Sequence, residues 1–217
     1  MAESPRAAKT REAIIQAAAG VFEQHGYNGA RLSMITSRSG LTMGAIYFHF
    51  TSKDDLARAV MAAQADDLVL PDGERGLQRL IDITLYLASE LQRNVLLRAG
   101  VRLAIEQGSF GVRDSTPYLQ WVDRFRDELG AAEAVGDLLP EVVVADVAQL
   151  LVSSYSGTQL LSEIATDRAD LPERIVRMWT YLLPGIATPE ARTRLRLEPS
   201  VADRADDADR GNDQPGR

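Results

Sequence analysis

Cysteine is absent from this 217-residue chain, so there is no disulfide, no thiolate nucleophile and no thiolate metal site. Histidine occurs only twice, at His25 and His49, too few for a His-rich metal cage or for the His-carboxylate spacings of hydrolytic sites. No apolar run approaches the ~20 residues that cross a bilayer, and the opening MAESPRAAKTREAIIQ lacks the apolar core of a secretory signal. Neither a Gly-rich phosphate loop nor a nucleophile elbow occurs. The adjacent carboxylates Asp54-Asp55 and Asp66-Asp67 point apart on a helix. Basic residues do not predominate: 24 Lys and Arg stand against 31 Asp and Glu, a net charge of −7, which excludes a wholly basic nucleic-acid binder. These absences predict a cytoplasmic protein that is not an enzyme, has no catalytic residues, and needs neither a metal nor a cofactor.

What is present is an ordinary globular balance, 45% hydrophobic and 25% charged. The total charge hides an asymmetry. Residues 1–53 hold six basic groups (Arg6, Lys9, Arg11, Arg31, Arg38, Lys53) and three acidic ones (Glu3, Glu12, Glu23), so this segment is +3 and the remainder −10. A basic head on an acidic body suits a DNA reader whose head alone meets phosphate.

Apolar spacing is helical throughout. Ile14, Ile15, Ala18, Ala19 and Phe22 share one face of a helix over 9–25, which Gly26 ends. Short helices fit 32–39, ended by Gly40, and 43–48, capped by Thr42. Ser52-Lys53-Asp54-Asp55 has capping-box form and opens a fourth helix to about Ala65. Beyond Pro71-Asp72-Gly73, helices are predicted at 74–93, 95–107, 117–135, 141–164, 171–186 and 189–195. No stretch alternates with period two, so an all-α fold is predicted. Residues 197–217 carry too little apolar surface to offset their ordering entropy and are expected to be a disordered acidic tail.

The two short helices joined by Gly40-Leu41-Thr42 form a helix-turn-helix candidate. Small residues at the start of the second helix, Thr42, Gly44 and Ala45, let the backbone approach a major groove. Tyr47 and His49 can donate to phosphate, and Lys53 is placed for another phosphate. Ile46, Phe48 and Phe50 are expected to face a small core with Phe22 and Ile35. Tyr47 and His49 also admit a second reading, as packing within a small head. His25 reads as a solvated helix-end residue.

Leu41-Thr42-Met43-Gly44-Ala45-Ile46-Tyr47-Phe48-His49-Phe50 followed by Ser52-Lys53-Asp54-Asp55-Leu56 closely resembles the signature of the TetR family. Thr10-Arg11, Ile14-Ile15, Ala18-Ala19, Phe22 and Gly26-Tyr27 match its first helix. The resemblance implies a dimer with an N-terminal three-helix DNA-binding head (1–52) and a C-terminal helical ligand-binding and dimerisation body (53–196). With Arg11 and Ser33 on the first two helices and Met43 on the third, the candidate DNA-contacting set is Arg11, Ser33, Thr42, Met43, Gly44, Ala45, Tyr47, His49 and Lys53. Within the family the chain is most similar to the γ-butyrolactone autoregulator receptors of actinomycetes, through Val95-Leu96-Leu97-Arg98-Ala99-Gly100-Val101-Arg102-Leu103, Trp121 and Tyr155-Ser156-Gly157-Thr158-Gln159. Two positions depart: Met43 stands where these receptors usually carry lysine, and Arg31 where they carry threonine.

The resemblance implies a pocket tryptophan at Trp121 and polar ligand contacts from Gln64 and Thr158. Tyr86 joins them as a helical residue of suitable chemistry. On 141–164, Val144, Val147, Leu151, Tyr155 and Thr158 form one stripe, and Leu150, Ser154, Gly157 and Leu161 a neighbouring one. Two apolar sides suit a helix that faces both its own pocket and a partner. With Ile175, Met178, Trp179 and Leu182 on 171–186, the pair would make a four-helix homodimer interface.

The function expected is a repressor that binds a pseudo-palindromic operator in double-stranded DNA. A small autoregulator of γ-butyrolactone, butenolide or furan type would release it, and the controlled genes would be those of antibiotic or secondary metabolism. Ligand near Trp121 would displace the end of the fourth helix near Gln64 and so alter head spacing. The alternatives are a multidrug-type efflux regulator, a DNA-binding scaffold without ligand, and a helical-bundle small-molecule binder or enzyme without DNA function. An aromatic content of 6% argues mildly against a multidrug pocket.

Overall fold

The computed structural model describes residues 4–64 and 68–198. The expected acidic tail, apart from its first two residues, and the pair Asp66-Asp67 lie outside them. The described fold is helical; its only β pairing is an isolated bridge between Leu138 and Ala187. Among the described residues ten α-helices follow in order: α1 Pro5–Gly29, α2 Leu32–Ser39, α3 Met43–His49, α4 Lys53–Ala63, α5 Leu77–Arg93, α6 Val95–Glu106, α7 Thr116–Ala134, α8 Val144–Thr166, α9 Leu171–Ile186 and α10 Pro189–Arg192. A 3₁₀ turn, Gln107–Phe110, follows α6. The chain divides into two compact units. One comprises residues up to Val69 with Arg93–Pro117, and the other Leu70–Gln92 with the residues from Tyr118 on. The described residues of 53–69, with 93–117, thus pack with residues 4–52.

In the first unit the apolar face foreseen on α1 is the core: Ile14, Ile15, Ala18, Ala19 and Phe22 are buried, with Ile35, Ile46, Phe50, Leu56 and Val60 from α2 to α4, and Ala99 and Leu103 from α6. α1 starts four residues earlier than its apolar period suggests, because Ser4 Oγ accepts the Ala7 N–H at 3.3 Å and Pro5 occupies the first turn. Gly26 breaks α1 rather than ending it, with φ 64° and ψ 178°, a region essentially confined to glycine. A Cβ there would stand 2.8 Å from Glu106 Oε1 and 2.9 Å from Arg102 Nη2. The break frees the Tyr27 N–H, which donates to Glu106 Oε2 at 2.6 Å. Arg102 Nη1 donates to the Glu23 carbonyl at 2.6 Å, and Arg98 Nε to the Glu23 carboxylate at 3.0 Å.

The capping box of α4 takes a modified form. Ser52 Oγ accepts the Asp55 N–H at 3.1 Å, but the shorter Asp55 side chain returns to the Thr51 N–H, at 2.9 Å, one residue before the cap.

In the second unit Trp179 is fully buried and its Nε1 donates to Thr84 Oγ1 at 2.8 Å. Ile175 is buried beside it in sequence register. Both are therefore core residues, not interface material as their spacing suggests, and of that set Met178 and Leu182 are the half-buried members. The reason is that α9 presents Ile175, Trp179 and Leu183, one residue per turn, to its own unit. Buried Glu128 on α7 is paired by Arg79 at 2.8 Å and accepts the Gly76 N–H at 3.0 Å. α8 ends at Asp167, with Asp167 and Arg168 in the left-handed region at φ 51° and 65°. Past this turn, Asp170 accepts from Ser162 Oγ at 2.6 Å, Thr166 Oγ1 at 2.8 Å and Arg174 Nε at 2.8 Å, and these bonds, led by that from Ser162, hold its carboxyl down at about 2.

Candidate functional site

α2 ends at Gly40, φ 69°, whose N–H returns to the Thr36 carbonyl at 3.0 Å, and α3 begins where Thr42 Oγ1 accepts the Ala45 N–H at 3.2 Å. Of the three residues in or capping α3 assigned to the core, two are there: Ile46 and Phe50 are buried. The third is not. Phe48 is 80% exposed, because residues two apart lie about 200° apart around a helix while Ile46 and Phe50, four apart, share a face. Met43, Gly44, Tyr47 and Phe48 form the exposed face, with Ala45 and His49 half-buried at its edge. The nearest atom to a Cβ on Gly44 would be Thr42 Oγ1 at 3.8 Å, so the backbone there is open to close approach. Phe48 meets His49 edge-on, with ring centroids 5.0 Å apart.

The remaining head candidates sit around this helix. Ser33 is exposed on α2. Arg11 is exposed on α1, its guanidinium 5.2 Å from the centre of the Phe50 ring. Lys53 is committed to its own chain: Nζ donates to the carbonyls of Tyr27 at 2.9 Å and Ala30 at 3.2 Å, and lies 4.1 Å from the centre of the Tyr27 ring. The Tyr27 hydroxyl donates to Asp54, and burial, reinforced by that carboxylate, pushes the phenol up to about 12. His25 is exposed just before the break in α1.

The ligand candidates stay dispersed. Gln64 caps α4 in the first unit and is buried, its side chain pressed against Gly100 of α6 so that no Cβ could replace the glycine hydrogen without displacing it. Tyr86 on α5, Trp121 on α7 and Thr158 on α8 are half-buried in the second unit. Trp121 meets Phe125 edge-on at 6.1 Å and carries the Arg124 guanidinium 5.6 Å from its ring centre. Two residues to which the sequence assigned no ligand contact flank Thr158. The Tyr155 hydroxyl and Gln159 Oε1 are buried one turn apart on α8 and find no hydrogen-bond partner among the described residues. Burial drives the Tyr155 phenol far above its ordinary range, with Arg168 opposing. Gln159 falls on the buried stripe with Ala148 and Val152, and a glutamine on an apolar stripe is the signal that would have found it.

Comparison with known proteins agrees with this geometry. Residues 14–60 match the model of bacterial regulatory proteins of the tetR family, and residues 74–188 that of the tetracyclin repressor-like C-terminal domain. The chain belongs to the TetR family. It is a transcriptional regulator, not an enzyme. It is 36% identical to the A-factor receptor protein of Streptomyces griseus over 93% of this chain and 72% of that one. The crystal structure of TylP, a TetR regulator of Streptomyces fradiae, superposes with a TM-score of 0.80 at 40% identity, covering 96% of this chain and all of that one. A structure described as a γ-butyrolactone receptor, an ArpA-like protein, superposes with a TM-score of 0.69 at 34% identity, covering 87% and 94%. No helix among the described residues of this TetR regulator is long and apolar enough to cross a membrane.

Proposed function

We propose that this regulator is a homodimeric, cytoplasmic repressor that binds a pseudo-palindromic operator and is released by a small molecule of the γ-butyrolactone, butenolide or furan class, controlling antibiotic or secondary-metabolite genes. The observation that carries the reading is the face of α3. A helix that leaves Met43 39%, Tyr47 55% and Phe48 80% exposed gains nothing from those side chains in isolation, and gains a contact surface when they enter a major groove. Thr42, Gly44 and Ala45 keep the entering end slim. Arg11, Ser33, Tyr47 and His49 are the candidate contacts to the flanking backbone; Lys53, bonded to the Tyr27 and Ala30 carbonyls, is not among them.

A dimer is supported by the apolar surface of α8 and α9. Leu150, Leu161, Ile164 and Tyr181 are 49%, 60%, 76% and 79% exposed, with exposed Gly157 permitting close helix approach. The similarity to the A-factor receptor protein and to a γ-butyrolactone receptor supports the ligand class. The unpartnered Tyr155 hydroxyl and Gln159 Oε1 beside Thr158 support a ligand that brings both an acceptor and a donor. Trp121 and Tyr86 would supply aromatic walls. Moving a repressor from 1:99 to 99:1 release needs about 5.5 kcal/mol of differential affinity.

The test is a gel shift with duplex taken from upstream of its own coding region, titrated with γ-butyrolactones, butenolides and furan carboxylates. Binding that falls by about 0.9 log units per log unit of salt for each phosphate neutralised, and is abolished by one ligand class, supports the reading. A chain that ignores such duplexes in dilute buffer overturns it. Trp121→Ala that keeps both operator binding and ligand release removes Trp121 from the pocket.

A further inference from the structure

The exposed face of α3 is almost bare of hydrogen-bonding groups. Between Thr42 and His49 there is no arginine, lysine, asparagine or glutamine, the side chains that grip guanine O6 and N7 or adenine N6 and N7 in pairs. The face consists of two adjacent rows one turn long, Met43 with Tyr47 and Gly44 with Phe48. Helical side chains lean toward the N-terminus. Tyr47 therefore leans toward Met43, while no Phe48 atom comes within 4 Å of where a Gly44 Cβ would stand, so the backbone there stays open. The polar atoms here are the Thr42 hydroxyl, whose oxygen already accepts the Ala45 N–H, and the Tyr47 phenol at the far end. Half-buried His49 lies at the edge, its ring packed edge-on against Phe48. Three nearby cations have other contacts: Arg38 lies against Gly20, where a Cβ would stand 2.5 Å from its Cζ, Arg11 lies over Phe50, and Lys53 is bonded to Tyr27 and Ala30.

A groove-facing helix of this composition can take sequence information from one kind of base edge. The C5-methyl of thymine is the apolar group displayed in the major groove, and methionine is the flexible, polarisable side chain best able to wrap it. We infer that this regulator reads its operator through thymine methyl groups seated on Met43 and Phe48, and not through bidentate contacts to guanine or adenine. Each half-site then carries a thymine under α3, and purine identity opposite it is set by base pairing alone. The inference rests on the operator-binding reading above and adds the chemistry by which that operator is chosen.

The experiment uses the full-length chain. Duplexes are selected from a random library, and the selected site is resynthesised with deoxyuridine in place of thymidine, one position at a time and then in both half-sites together. Uracil keeps every hydrogen-bonding group and loses only the methyl. Affinity is expected to fall roughly fourfold for each methyl removed from beneath α3, the worth of one buried carbon, and to stay within twofold elsewhere. Met43→Ala and Phe48→Ala, both at exposed positions, should bind the thymine site more weakly and lose the difference between thymine and uracil. Met43→Lys should shift the selected base at that position toward guanine.

If tight binding survives uracil at every position within twofold, or if both alanine variants keep the wild-type sensitivity to uracil, the inference is overturned while operator binding stands. If no duplex is selected at all, the operator reading itself falls and takes this one with it.

Discussion

Lys53→Met separates two roles for one ammonium group. In the structure Nζ sits where α1 ends: it donates to the carbonyls of Tyr27 at 2.9 Å and Ala30 at 3.2 Å and lies 4.1 Å from the centre of the Tyr27 ring. Methionine preserves the stem's packing and deletes the charge. A charge-assisted hydrogen bond contributes about 1.5–3 kcal/mol, and the second bond here is long. The group is partly solvated, so water recovers part of each bond. The cation–π contact and the favourable field of a helix C-terminus each contribute a few tenths to about 1 kcal/mol. A net loss of about 2 kcal/mol is expected.

Urea unfolding at fixed protein concentration, since a dimer's stability depends on it, should show a lower midpoint with unchanged slope. The log–log salt dependence of operator binding should change by less than half a unit per protomer. A variant as stable as the parent, whose salt slope instead flattens by about 0.9 per protomer, the signature of one lost phosphate contact, would refute the reasoning and return Lys53 to the DNA surface.

Gly26→Ala forces a Cβ into φ 64°, ψ 178° and to within 2.8 Å of Glu106 Oε1; backbone strain together with the weakened Tyr27–Glu106 bond should cost about 3 kcal/mol, read as a fall in the thermal midpoint, and a variant as stable as the parent would show the break to be incidental. Asp170 is held at about 2 by its bonds to Ser162, Thr166 and Arg174, below the usual value of about 3.9. A depressed carboxyl stabilises the fold above its unfolded pKa and loses that contribution as pH falls through the folded one, so the melting gap between wild type and Asp170→Asn should be full above about pH 4 and close as pH falls through about 2. A gap that is constant across that range would show the carboxylate is not held as described.

Much of this was legible in the sequence because it is written in local periods. The core face of α1, the caps Thr42 and Ser52, and the stop at Gly40 are each set by residues within one or two turns, and each stands where its spacing puts it. What failed to show were features that depend on partners far along the chain. The break in α1 is filled by Glu106 and Arg102, some eighty residues away, and nothing near Gly26 announces them. Ile175 and Trp179 have the spacing of an interface stripe, but Thr84 on α5 claims the indole N–H and draws that stripe inward. Phe48 is the opposite case. Its neighbours Ile46 and Phe50 already define the buried face of α3, so a stricter reading of the helical period would have turned it outward.

α3 has seven residues, too few to be stable or to fix a direction alone, so whatever it reads depends on how it is mounted. On one side the mount is apolar: Ile46 and Phe50 set into Phe22 and Ile35. On the other it is polar and continuous. Glu106 and Arg102 of α6 hold the broken end of α1 through the Tyr27 N–H and the Glu23 carbonyl. The Tyr27 and Ala30 carbonyls then hold Lys53, and Asp54 holds the Tyr27 hydroxyl. Lys53 and Asp54 open α4, three residues after the last residue of the α3 cap. Every joint in this series carries a full charge on one partner, and so resists displacement more than neutral bonds would. Dispersion contacts alone would let a short helix rock, because apolar packing has no direction. The charged series supplies that direction, and it explains why Lys53, spent on it, is not available as an exposed positive group although it belongs to a segment of net positive charge.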